Sequence, residues 1–134
     1  KGRIRVLGGS QKRPNIHIDD MADLYLFLLQ QQDEKIDGGI YNAGYENHTL
    51  MELAEIVKKV VSDDLPIDVE PTDDLRSYHV SSEKMRTELG FEPSHSIEDA
   101  VRGLVDAFES GKLPNSMDDP QYFNINLMKD LALK

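Results

Sequence analysis

Residues 11–29 read QKRPNIHIDDMADLYLFLL. Two cations, Lys12 and Arg13, lead into a short β-like segment predicted over residues 15–18. Pro14 sits at its beginning, where a missing N–H costs least. Asp19 or Asp20 can cap a helix, because a carboxylate accepts from the free N–H groups there and suits the positive end of the dipole. The helix is predicted to run to about Gln32. From Leu24 to Leu29 it is apolar nearly all round, the pattern of a helix held between two layers. An arginine set just ahead of such a strand–turn–helix raises the question of what it grips.

Working outward, residues 3–7 alternate charged and apolar side chains, as a half-buried strand does. Gly8-Gly9-Ser10 is a turn signal, so the first two strands are expected to pair as a hairpin. Gly38-Gly39 breaks the chain before a predicted strand over residues 40–43, which ends at Gly44. Strand–helix–strand order suggests a parallel α/β sheet. Thr49 and Glu52 form a capping-box signature, and Leu50, Leu53, Ala54, Val57, Val60 and Val61 recur at helical spacing. Ile67 and Val69 alternate with acids in an expected edge strand, and residues 77–80 suit another short strand. Ser81 or Ser82 opens a small helix through Leu89, which Gly90 ends. Ser96 and Asp99 repeat the capping signature before an apolar stripe from Ile97 to Phe108, stopped by Gly111 and Pro114. Residues 113–134 read as an extended tail with room for one short helix, anchored by Tyr122, Phe123, Leu127 and Met128.

The 134 residues suit one domain or a large piece of one, with 39% hydrophobic and 30% charged residues to build a core and a solvated surface. A formal charge of −10 disfavours nucleic acid and anionic membrane as partners. There is no cysteine, which excludes disulfides and thiolate metal sites and makes the cytoplasm the default location. The longest apolar run is far too short to span a bilayer, and KGRIRVLGG lacks the apolar segment of a signal peptide. The chain starts with lysine and enters strand-like sequence at once, as after processing or after the loss of a larger N-terminal part.

Of the histidines, His17, His48, His79 and His95, none has a second ligand at helical zinc-site spacing, so no metal site is expected. His17 is expected to pack in its strand with a satisfied ring nitrogen. The pairs Asp19-Asp20 and Asp73-Asp74 suit capping and turns better than acid–base work, since adjacent residues of an extended chain point apart. Gly8-Gly9 carries neither a GxGxxG continuation nor a P-loop lysine. Arg13 and Arg76 each begin a predicted short strand, where side chains emerge from a rigid frame. Converging there, two guanidinium forks would suit a phosphate or diphosphate. From spacing alone, solvated surface charge is the plainer reading.

RPNIHIDDMADLYLFLL resembles the R-x-x-[I/F/V]-[H/Y]-V-x-D-x-A segment of extended short-chain dehydrogenase/reductases, the NAD(P)-dependent nucleotide-sugar epimerases and dehydratases. GGIYNAGYENHTLMELAEIV is similar to the family's next block, and DLRSYHVSSEKMRTELGFEPSHSIEDAVRGLVDAF to its closing one. The tail PQYFNINLMKDL also resembles termini of the epimerase branch. The family's glycine-rich dinucleotide turn and its Tyr-x-x-x-Lys catalytic pair are not in the sequence. The resemblance therefore implies that residues 1–134 are the C-terminal, substrate-binding part of an extended, Rossmann-like α/β fold, its N-terminal dinucleotide-binding lobe absent. It implies that Arg13 and Arg76 reach the diphosphate of a nucleotide-sugar substrate, with Asn15 and Tyr78 beside the nucleotide or ribose. NAD or NADP would be bound by the missing lobe of the same protein, with no cofactor, metal or catalytic residue expected on this chain alone. A homo-oligomer is compatible with the family. The alternative is a stand-alone, non-catalytic module derived from the same fold that binds a nucleotide-sugar or another protein.

Overall fold

The computed structural model describes residues 2–131. They form an α/β fold whose contacts divide it into two compact units, Lys1–Arg102 and Gly103–Lys134. In the first, the elements run β1 (Ile4–Leu7), β2 (Lys12–Asn15), α1 (Ile18–Leu29), α2 (Asp33–Ile36), β3 (Glu46–Thr49), α3 (Leu50–Val61), β4 (Ile67–Glu70) and α4 (Glu83–Leu89). Helix α5 (Ile97–Glu109) begins in this unit. The second unit holds a short 3₁₀ turn, Pro120–Tyr122, and α6 (Asn124–Asp130). Leu127 is half-buried there, whereas Tyr122, Phe123 and Met128 are exposed.

The expected hairpin does not form. β1 pairs in parallel with β4, Ile4 opposite Ile67, and β2 pairs antiparallel with β3, Arg13 opposite His48. The reason lies in the glycines. Gly8 and Gly9 take φ of 82° and 124°, which L side chains rarely adopt, and they turn the chain out of one ladder and into the other. Gly8 N–H still donates to Glu70 O beside β1, while Gly9 O already accepts from Met51 N–H beside β3. The parallel relation inferred from strand–helix–strand order therefore belongs to β1 and β4. The pair that flanks α1 is antiparallel.

Other expectations shift by a few residues. The second strand lies over Lys12–Asn15 rather than residues 15–18. Residues 40–43 form no strand: Lys84 Nζ donates to Ile40 O, Asn42 Nδ2 donates to Ser81 O, and Ser82 Oγ holds the following Gly44, accepting from its N–H and donating to its O. Residues 77–80 likewise run extended beside β2 without strand pairing, held by Tyr78 N–H to Lys12 O and Val80 N–H to Asn47 Oδ1. Neither Asp19 nor Asp20 caps α1. His17 does, its Nδ1 accepting from Asp19 N–H at 3.1 Å, and the helix ends at Leu29.

The local signals hold where partner and signal are neighbours. Thr49 Oγ1 accepts from Glu52 N–H at 3.1 Å, and Glu52 Oε2 accepts from Thr49 N–H at 2.6 Å. Gly90 ends α4 in the left-handed conformation, and Ser96 Oγ accepts from Asp99 N–H at the start of α5. The core gathers Leu24, Met85 and Phe91 with Phe27, Tyr45 and Leu89 packed around them. Phe27 and Tyr45 lie 5.3 and 6.4 Å from the Phe91 ring, and each buried side chain of this size contributes roughly 1.5–3 kcal/mol. A second apolar contact sets Val6 and Ala54, both buried, between the β1–β4 ladder and α3. Helix α1 packs through Leu24, while Tyr25, Leu26 and Leu29 on its other sides are exposed, so the expected all-round cover is not provided by the described residues.

Gly8 carries a further constraint. A Cβ there would stand 2.2 Å from Gln11 Nε2 and 2.7 Å from Thr72 Cγ2. Gly8→Ala is expected to cost about 2–3 kcal/mol in denaturant unfolding, combining left-handed strain with the clash. Gly38→Ala is the control, since nothing lies within 4 Å of its Cβ position and only the strain of about 1 kcal/mol applies.

Candidate functional site

Gln11 connects the strand frame to the loop that follows β4. It is 5% exposed, its Oε1 accepts from Gly9 N–H, and its Nε2 donates to Asp74 O at 2.8 Å. The loop is braced again by Asp74 N–H to Thr72 Oγ1 and by Arg76 N–H to Asp74 Oδ1. Lys12 N–H to Ser77 Oγ and Tyr78 N–H to Lys12 O then lay the chain along β2. Arg13 and Arg76, 63 positions apart in sequence, are brought together by this bracing.

Both guanidiniums converge on Asp74. Arg76 Nε and Nη2 donate to the two carboxylate oxygens at 2.7 and 2.8 Å. Arg13 Nη2 stands 3.7 Å from Oδ2, while its Nη1 donates to Lys12 O at 2.9 Å and Arg76 O at 2.6 Å. The Arg13 Cζ lies 5.5 Å over the Tyr78 ring, a cation–π distance. The hydrogen bonds from Arg76 hold the Asp74 carboxyl far below the usual range, with Arg13 adding to them, and Asp74 in turn raises Arg76. The Arg76 side chain is 71% exposed and that of Arg13 27%. Asn15 belongs to the frame, since its Nδ2 donates to Arg13 O and Glu46 O. Thus the structure groups Arg13 and Arg76 around one carboxylate, with Tyr78 against Arg13 and Asn15 bonded to the Arg13 carbonyl.

A second polar cluster was not visible in the sequence. Asp20, 1% exposed, accepts from Ser94 N–H, Ser94 Oγ, His95 N–H and His95 Nδ1, the ring nitrogen at 2.9 Å. The His17 ring stacks on His95 with centroids 4.5 Å apart. Asp20 and His95 lie 75 positions apart, so no local spacing could signal them. Three metal-ligating side chains therefore meet here, although no such meeting was expected. The donor set does not suit an ion. His17 Nδ1 already accepts from a backbone N–H, which leaves the ring proton on Nε2 and no lone pair free. Stacked rings also keep their in-plane lone pairs in two nearly parallel, offset planes, which one ion cannot share. Burial pushes the Asp20 carboxyl up, but the bonds from Ser94 and His95 outweigh it and hold it at about 2. The bond to Asp20 raises His95, against the effect of its partial burial.

The NAD dependent epimerase/dehydratase family matches residues 1–44. The bifunctional dihydroflavonol 4-reductase/flavanone 4-reductase of Malus domestica is 31% identical over 94 residues, 69% of this chain and 26% of that protein. The UDP-glucose 4-epimerase of Lactobacillus helveticus is 28% identical over 96 residues, 69% of this chain and 29% of that protein. In fold, the chain resembles the UDP-glucose 4-epimerase of Thermotoga maritima, solved with UDP-glucose, with a TM-score of 0.68 and 22% identity over 81% of this chain and 35% of that one. In sequence and fold the chain resembles the extended short-chain dehydrogenase/reductases, and its residues 1–44 match the NAD dependent epimerase/dehydratase family. It spans between a quarter and a third of the length of the curated relatives it matches. Among the described residues, no helix is long and apolar enough to cross a membrane.

The Asp20–His95 pair makes stability depend on pH in two directions. Asp20, whose carboxyl is lowered, contributes fully above the ordinary carboxyl value of about 3.9 and loses this as pH falls toward 2. His95, whose imidazole is raised, contributes fully below about pH 6.5 and loses this as pH climbs through its raised value. The difference in melting temperature between the unaltered protein and His95→Gln is therefore expected to be greatest between about pH 4 and 6.5 and to shrink above that. Asp20→Ala, which orphans buried donors, is expected to cost about 3 kcal/mol in denaturant unfolding.

Proposed function

We propose that these residues are the substrate-binding part of an NAD- or NADP-dependent nucleotide-sugar epimerase or dehydratase, and that Arg13 and Arg76 grip the diphosphate of the substrate. The observation that carries this reading is the convergence of both guanidiniums on the Asp74 carboxylate. Two forks that meet on one anion of the protein are placed to meet on a phosphate of a ligand, through charge-assisted, geometrically matched hydrogen bonds. Tyr78, against Arg13, and Asn15, through its amide oxygen, are the proposed neighbours of the nucleotide or its ribose. Held by its diphosphate, the substrate keeps its sugar free to turn toward the reacting groups, and the fixed end supplies the orientation that chemistry needs.

In this reading the nicotinamide exchanges a hydride with the sugar on another part of a longer chain. Support comes from the relatives, which are three to four times the matched length, and from the glycine-rich turn and Tyr-x-x-x-Lys pair that these 134 residues lack. That other part would also cover the apolar side chains Tyr25, Leu26 and Leu29 that α1 leaves exposed. The 134 residues by themselves are expected to show no oxidoreductase activity. The proposed setting is a soluble cytoplasmic enzyme, with assembly into a homo-oligomer compatible with the family.

The test is calorimetric titration of the full natural chain with nucleotide diphosphate sugars. Arg13→Ala and Arg76→Ala are each expected to weaken binding by about 1.5–3 kcal/mol, the scale of a hydrogen bond to a charged group. Unchanged affinity in both variants would remove the proposed grip.

A further inference from the structure

The two arginines are held in different ways. Arg13 is fixed by two backbone carbonyls and by the Tyr78 ring, and its Nη2, 3.7 Å from Asp74, is beyond hydrogen-bond range and still has protons to give. The two short guanidinium hydrogen bonds of Arg76 go to Asp74, Tyr78 lies near as a weaker partner, and the side chain is largely in solvent. Asp74 is the more firmly held partner of the pair. Its backbone is pinned at both ends, by Gln11 Nε2 on the carbonyl and Thr72 Oγ1 on the N–H, and its Oδ1 also accepts from Arg76 N–H. The cluster thus consists of a fixed cation, a fixed anion and a cation that can swing.

We propose that Asp74 is an internal competitor for the anionic ligand: it parks the Arg76 fork in the free protein, and a diphosphate binds by taking Arg76 over from it while Arg13 stays in place. This rests on the diphosphate reading of Arg13 and Arg76. The consequence is selectivity by charge. Two guanidiniums and one carboxylate leave a single net positive charge, so a singly charged ligand offers Arg76 no more than the carboxylate it already has. A diphosphate, with several charged oxygens, satisfies both forks and outbids the carboxylate. The parking pair is exposed, so displacing it costs the ligand little.

The test uses inorganic pyrophosphate and the full natural chain. Asp74→Asn, which keeps an oxygen for the Arg76 N–H, is expected to tighten pyrophosphate binding up to about fivefold, the upper range for an exposed pair. In an Arg76→Ala background the same change is expected to bring no gain. A gain that survives there would mean that Asp74 merely repels anions, and unchanged or weaker binding in Asp74→Asn would likewise overturn the role. In the unaltered protein, the Arg76 Nε–H resonance is expected to move on adding pyrophosphate, and a resonance that stays put would overturn the handover without recourse to any variant. Arginine variants that bind pyrophosphate as well as the unaltered protein would refute the diphosphate grip itself. Failure at Asp74 with loss at Arg13 and Arg76 would refute only the competition.

Discussion

A carboxylate removed from water must find donors for its oxygens, and Asp20 finds four, all on Ser94 and His95. That requirement ties the first turn of α1 to the segment that leads into α5. It fixes how α1 lies, and with it the position of Leu24 against Met85 and Phe91. The four bonds are charge-assisted, and the residue is almost fully enclosed, so neither side can drift without exposing an unmatched group. Helix α1 packs on only one side within the described residues, so this polar tether adds to the apolar contacts of Met21, Leu24, Phe27 and Leu28 in holding it.

The cation cluster uses the opposite arrangement. Its charges lie near the surface, and its rigidity comes from the backbone beneath them. Gln11, buried and bonded at both ends of its amide, transmits the glycine turn between β1 and β2 to the loop carrying Asp74 and Arg76. The same turn requires φ values reserved for glycine, so a conformational need of two residues without side chains decides where two guanidiniums meet.

What could be read from the sequence follows the distance over which each signal acts. The capping box of Thr49 and Glu52, the left-handed Gly90 and the Ser96–Asp99 cap involve partners within four residues, and each formed as expected. The Gly8-Gly9 turn was equally plain, but a turn does not say which strand the chain turns toward, and the hairpin reading failed for that reason. Residues 40–43 have strand composition, yet they pair with no strand, and the adjoining Gly44 is held instead by Ser82 Oγ, 38 positions away. His17 took the capping place because Asp20, the stronger capping type, is turned inward to Ser94 and His95. At the site, Arg13 and Arg76 could be singled out as arginines at element ends. That Asp74 stands between them depends on the pairing of Gln11 with its carbonyl, which no local pattern announces.

The parallel β1–β4 ladder joins segments far apart in the chain. The Arg3–Asp68 ion pair at its edge spans 65 residues, so a long loop must close before either strand has a neighbour. Helix α3 and its cap need only local contacts and can form early. The stretch bearing Asp74 and Arg76 continues directly from β4 and can be ordered only after that late closure. The surface bearing the two guanidiniums is thus expected to be among the later parts to take shape.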